Sequence, residues 1–114
     1  MPAVGMERRF LVHFALGGVV NAERLRESVP GILDILKSIS RDDMVQAYRS
    51  AGGETFGYFV KSKLAAVQIR AALEAPKGAL ASPLRNGDAY MVVELGEEFA
   101  TTGAGRAGTW LQHR

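Results

Sequence analysis

Cysteine is absent from this 114-residue chain, which excludes disulfides, thiolate metal sites and a cysteine nucleophile. Histidine is scarce as well. His13 sits in an apolar, strand-like run, where a histidine is more often structural than a ligand, and His113 is the penultimate residue. No apolar run approaches the ~20 residues that a membrane-crossing helix needs. The opening Met1–Met6 is short and runs into Glu7-Arg8-Arg9. With no apolar stretch before a cleavage site it does not read as an export signal, and a cytoplasmic location is expected. Charge of one sign is also lacking. The net charge of +2 comes from 14 basic and 12 acidic residues spread along the chain, whereas nucleic-acid domains carry a denser basic stripe. A mixed, solvated surface is the simpler reading.

Acid–base and metal chemistry find little support. Asp42-Asp43 and Glu97-Glu98 are adjacent pairs, which point opposite ways on a strand and are usually solvated in loops. Ser62 and Thr101-Thr102 have no base nearby in sequence. Residues 103–108, GAGRAG, match GxGxxG formally, but no amphipathic helix of useful length follows, so a dinucleotide site is not expected. The sequence therefore assigns no catalytic residue, no metal ligand and no cofactor.

What is present is an ordered succession of elements. With 47% hydrophobic residues, a chain of this length builds one domain around one core. Residues 8–16, RRFLVHFAL, alternate as a strand with Phe10, Val12, Phe14 and Leu16 on one face. The other face is also largely apolar, which suits a central strand covered by helices on one side and by a partner on the other. Asn21 caps a helix whose stripe is Leu25, Val29, Ile32, Leu33 and Leu36; Pro30-Gly31 predicts a break within that one element. Residues 43–50 and TFGYFVK form a hairpin about Ala51–Glu54. Ser62 then caps a helix from Lys63 to Glu74 with Ala65, Ile69, Ala72 and Leu73 as its stripe, ended by Pro76 and Gly78. Asn86-Gly87-Asp88 turns the chain into a fourth strand, Ala89–Leu95. The fold class is α+β: a ferredoxin-like β-α-β-β-α-β sandwich. It forms a single domain over residues 1–114, with its core at about 8–96 and a C-terminal arm at about 97–114. Gly103, Gly105 and Gly108 make the arm pliable, while Phe99, Trp110 and Leu111 make it apolar, so it should pack across its own sheet or a partner's.

The aromatic strand GETFGYFVK resembles the signature strand of the RNA-recognition motif, in which exposed aromatics stack on bases. Phe56-Gly57-Tyr58 matches the aromatic-glycine-aromatic core. Thr55 stands where that motif has Gly, Lys61 replaces its last aromatic, and Val12 takes the place of the first-strand aromatic. A single-stranded RNA-binding module would use Arg49, Phe56, Tyr58 and Lys61. Strand parity decides: if Phe59 and Lys61 face away from the helices, then Phe56, Tyr58 and Val60 are core, and base stacking on them is excluded.

A second resemblance covers more of the chain. The succession FGYFVKSKLAAVQIRAAL, a polar loop, NGDAYMVVELGEEFA and a terminal TWLQHR resembles the SinR-like family of small bacterial and phage proteins. That family is similar to the small dimeric CRISPR-adaptation endonucleases. The match runs from about Phe56 to Arg114, with a weaker one at RRFLVHFAL. It implies a ferredoxin-like homodimer with sheets packed face to face and C-terminal segments exchanged, and hence an interface that includes Phe59, Phe99, Trp110 and Leu111. The endonucleases carry an acidic metal ligand near the end of the first strand, where this chain has HFALGG. The expectation is a non-catalytic homodimeric interaction protein, whose partners are itself and, beyond that, nucleic acid or another protein. The RNA-binding module and a metal-dependent nuclease remain the alternatives.

Overall fold

The structure, a computed structural model, describes residues 6–76, 81–96 and 110–111. Its elements are β1 (Arg8–Ala15), α1 (Ala22–Ser40), β2 (Met44–Arg49), β3 (Thr55–Ser62), α2 (Ala66–Glu74) and β4 (Ala89–Glu94). The four strands form one antiparallel sheet in the order β2-β3-β1-β4. The architecture is α+β. Phe99 and His113 lie outside the described residues, as does most of the expected arm.

β1 is the inner strand that the two apolar faces predict. Phe10, Val12 and Phe14 have no exposed surface and stand opposite Val60, Tyr58 and Phe56 of β3. Phe14 and Phe56 stack with centroids 5.1 Å apart. Ile32 and Leu36 of α1 and Ile69 and Leu73 of α2 join the same core cluster, so both helices cover one face of the sheet. Each such side chain contributes roughly 1.5–3 kcal/mol on burial.

Asn21 caps α1 as expected, its Oδ1 accepting from the Arg24 N–H at 2.9 Å. The predicted break at Pro30 does not occur, and α1 runs unbroken through it. Pro30 and Arg26 are both exposed, so the proline sits on the side of the helix turned away from the core. Leu33 is only half-buried, while Ile35 and Ile39 pack against the core. The helix ends at Arg41 in the left-handed region, φ 52°, where its N–H donates to the Lys37 carbonyl.

Ser62 is not the cap of α2. It is the last residue of β3, opposite Arg8. Its hydroxyl is spent tying β3 to α1, donating to the Ile39 carbonyl at 2.7 Å and accepting from the Leu64 N–H at 3.2 Å. α2 begins instead after Ala65, whose N–H donates to the Gln68 side chain at 2.8 Å, the returning half of a capping box.

Candidate functional site: the open face of the sheet

Because facing residues across an antiparallel pair share a side, the register sorts the sheet into two faces. Leu11, His13, Gly57, Phe59 and Lys61 lie opposite the helices. Met91 and Val93, which pair with His13 and Leu11, join them there. This face is the candidate site.

Its polar feature is a His–Tyr pair. The register between β2 and β3 shifts between Gln46 and Tyr48, and this bulge places Tyr48 over Gly57. The Tyr48 hydroxyl then reaches across β3 to the Nδ1 of His13 on β1, with the rings 5.7 Å apart. Burial pushes the Tyr48 phenol above its usual pKa, so the hydroxyl keeps its proton at neutral pH. Gly57 is what makes the crossing possible, since a Cβ there would run into the tyrosine ring. Gly57→Ala is therefore expected to cost about 1–3 kcal/mol, as overpacking does. The cost should shrink in a Tyr48→Ala background, a coupling that urea denaturation of the four chains of the cycle measures.

The arm meets this face on its β3 side. Trp110 lies parallel to Phe59, 9° between planes and 6.1 Å between centroids, and its indole N–H donates to Asp43 Oδ1 at 2.9 Å. Arg9 joins the arm to the end of β4, donating to the Leu111 carbonyl at 3.1 Å and the Gly96 carbonyl at 2.7 Å. Of the four expected interface residues, Phe59 and Trp110 thus meet within one chain, and Leu111 is held there by Arg9. Trp110 is the sole tryptophan, so its fluorescence reports this docking directly. Phe59→Ala should shift the emission to longer wavelength, towards that of a solvated indole. Truncation after Thr102 should leave a folded domain, because neither arm residue belongs to the main core cluster. The loss should be roughly 2–3 kcal/mol per residue at most, read by circular dichroism during thermal unfolding.

Of the four residues expected to bind nucleic acid, three share the helix-covered side of the sheet and one does not. Phe56 is 3% exposed and Tyr58 half-buried, and both face the helices; Arg49, opposite Phe56, shares their side at the sheet's edge. Lys61 is on the other face. Burial raises the Tyr58 pKa, an effect that Arg49 partly offsets. The parity is the one that excludes base stacking on Phe56 and Tyr58: their rings are packing surface.

A second cluster lies where β1 ends. The Asp88 side chain is fully buried and pairs with Arg24, whose side chain is 7% exposed, at 2.6 Å. The Arg24 Nε donates to Ser28 Oγ at 2.9 Å. The Asp88 oxygens also accept from the Gly17 N–H at 2.9 Å and the Arg85 N–H at 2.8 Å. Burial alone would raise the Asp88 pKa, but the Gly17, Arg85 and Arg24 donors outweigh it and hold the carboxyl below its ordinary value. A carboxylate thus stands beside the end of β1 after all, supplied from the turn before β4. Both of its oxygens are engaged by donors. Among the described residues no three His, Asp or Glu side chains converge as metal ligands, and Glu97-Glu98 lie outside them.

Between the helices runs a groove of about 990 Å³ with Ile35, Ile39 and Leu64 in its wall and Asp34, Arg41 and Lys63 also lining it. Charges of both signs give it no preference for an anion or a cation. No described helix is long and apolar enough to cross a membrane. Comparison of the chain with protein-family models, with curated proteins and with solved structures finds no match in any of the three.

Proposed function

We propose that this chain is a non-catalytic, homodimeric interaction protein with a ferredoxin-like fold, of the SinR-like type found in bacterial and phage systems. Read from its other edge, the strand order is β4-β1-β3-β2. Together with two helices on one face, that supports the ferredoxin-like reading of a β-α-β-β-α-β chain.

One observation carries the dimer. The face opposite the helices carries Leu11, Phe59, Met91 and Val93 around the His13–Tyr48 pair, and the described part of the arm stacks on its β3 side, at Phe59. Met91 and Val93 on β4 remain 52% and 40% exposed. Neighbouring exposed apolar side chains on one sheet face mark an association surface. Multi-angle light scattering at micromolar concentration tests this. The expected molar mass is twice the 12.3 kDa of one chain; a mass of 12.3 kDa would overturn the reading.

The non-catalytic part rests on how the carboxylates are used. A metal-dependent nuclease needs carboxylate oxygens free to hold a divalent cation, and those of Asp88 are taken by Arg24, Arg85 and Gly17. Asp43 accepts from Trp110. Purified protein should leave single-stranded RNA and duplex DNA intact in the presence of magnesium or manganese. Cleavage abolished by a chelator and by substitution of Asp42 or Asp43 would contradict it.

A further inference from the structure

The sheet has two edges, and they are finished differently. β2 is interrupted by its bulge, a device that turns an edge away from unwanted pairing. β4 keeps unbroken register with β1 from Ala89 to Glu94, and it contains no proline and no lysine. Its one charge, on Glu94, is held by Arg8 at 2.7 Å. No described residue pairs with its outer side.

The hydrogen bonds fix which backbone groups point outward. The Leu95 N–H donates to the Arg9 carbonyl at 2.8 Å. By the alternation of an antiparallel ladder, Val93, Met91 and Ala89 then bond to β1, while Glu94, Val92 and Tyr90 turn their N–H and C=O groups outward. The far side of β1 gives the same phase independently, because the Leu16 N–H donates to the Glu54 carbonyl at 2.8 Å. That bond assigns Phe14, Val12 and Phe10 to β3 and leaves His13 and Leu11 for β4.

We propose that β4 pairs antiparallel with β4 of a second copy about a two-fold axis at Val92, joining the two sheets edge to edge. The inference rests on the dimer reading and makes the contact edge to edge, in place of the face-to-face packing that the resemblance implies. In this register Val92 meets its own counterpart, Tyr90 meets Glu94, and every outward backbone group of the three finds a partner. Met91 stands opposite Val93 on the open face, so the two exposed apolar side chains cover each other. Centring the axis on Met91 would leave Glu94 without a partner. A one-residue slip would set open-face residues against helix-face ones. The strand is self-complementary, which is why a second copy fits it.

The chain has no cysteine, so single-cysteine variants can form disulfides only between copies. Facing residues that do not exchange backbone bonds have Cα atoms ~4.5 Å apart, within disulfide reach, whereas residues offset by two positions exceed the ~7 Å limit. Met91→Cys alone and Val93→Cys alone should each stay uncrosslinked under oxidation, while an equimolar mixture forms a linked dimer. Self-crosslinking of either variant would overturn the Val92-centred register. No crosslink in the mixture, with light scattering still showing a dimer, would overturn β4 pairing and leave the dimer reading standing; a monomer would sink both. Val92→Pro provides a second arm. Its lost N–H points outward, where an edge strand tolerates proline, so circular dichroism should be unchanged and the molar mass halved. A folded Val92→Pro chain that still dimerises would also overturn the proposal.

Discussion

Asp88→Ala is expected to destabilise the protein by about 3–5 kcal/mol, the cost of removing one member of a buried ion pair. The Arg24 guanidinium would be left buried with only Ser28 and a long contact to the Gly17 carbonyl, 3.4 Å. The N–H groups of Gly17 and Arg85 would lose their acceptor together with it. For a domain of this length the loss corresponds to a fall in Tm on the order of 10–20 °C, measured by thermal unfolding at neutral pH. The pH dependence has a fixed sign. A carboxyl whose folded pKa lies below its ordinary value of 3.8 contributes stability that is complete above that value and lost as pH falls through the folded pKa. The gap between wild type and Asp88→Ala should therefore narrow below pH ~4. Replacing Arg24 and Asp88 together by apolar residues should cost less than Asp88→Ala alone, because no buried charge is stranded.

Met91→Lys is expected to weaken self-association by about a hundredfold or more. The side chain is half-exposed in the single chain, so the substitution should leave folding almost untouched. In a symmetric dimer it removes two apolar contacts, each worth roughly 1.5–3 kcal/mol when fully buried, and every 1.4 kcal/mol is tenfold in Kd. Sedimentation equilibrium of the variant, with circular dichroism to confirm the fold, measures the effect. An unchanged Kd would show that association does not use the β4 side of the sheet.

Much of the fold was legible because its signals are local. The Phe10-Val12-Phe14 alternation placed β1 in the sheet interior, and Asn21 marked the start of α1. Pro30 misled because the cost of a helical proline depends on which side of the helix it occupies, and that is a tertiary property. Ser62 misled for a similar reason: its hydroxyl had a better partner in Ile39, distant in sequence. The site was less readable. Phe56-Gly57-Tyr58 looked like a stacking platform, but one-residue parity decides which side a strand residue faces. Gly57 turned out to make room for Tyr48, a contact set by a bulge that no local motif announces. The Arg24–Asp88 pair did leave a trace. Arg24, Ser28, Ile32 and Leu36 share one row of α1 and are all buried, and two polar residues at the head of an apolar row call for a buried partner.

Amide hydrogen exchange at Tyr90, Val92 and Glu94 across a range of protein concentration tests pairing at the outer edge of β4 most directly. These N–H groups point away from β1, while those of Met91 and Val93 are bonded to it. Edge pairing between copies predicts that the three outward amides are protected at high concentration and exchange rapidly on dilution, with Met91 and Val93 protected throughout. Outward amides that exchange freely at every concentration, or that stay protected on dilution to a monomer, would contradict it.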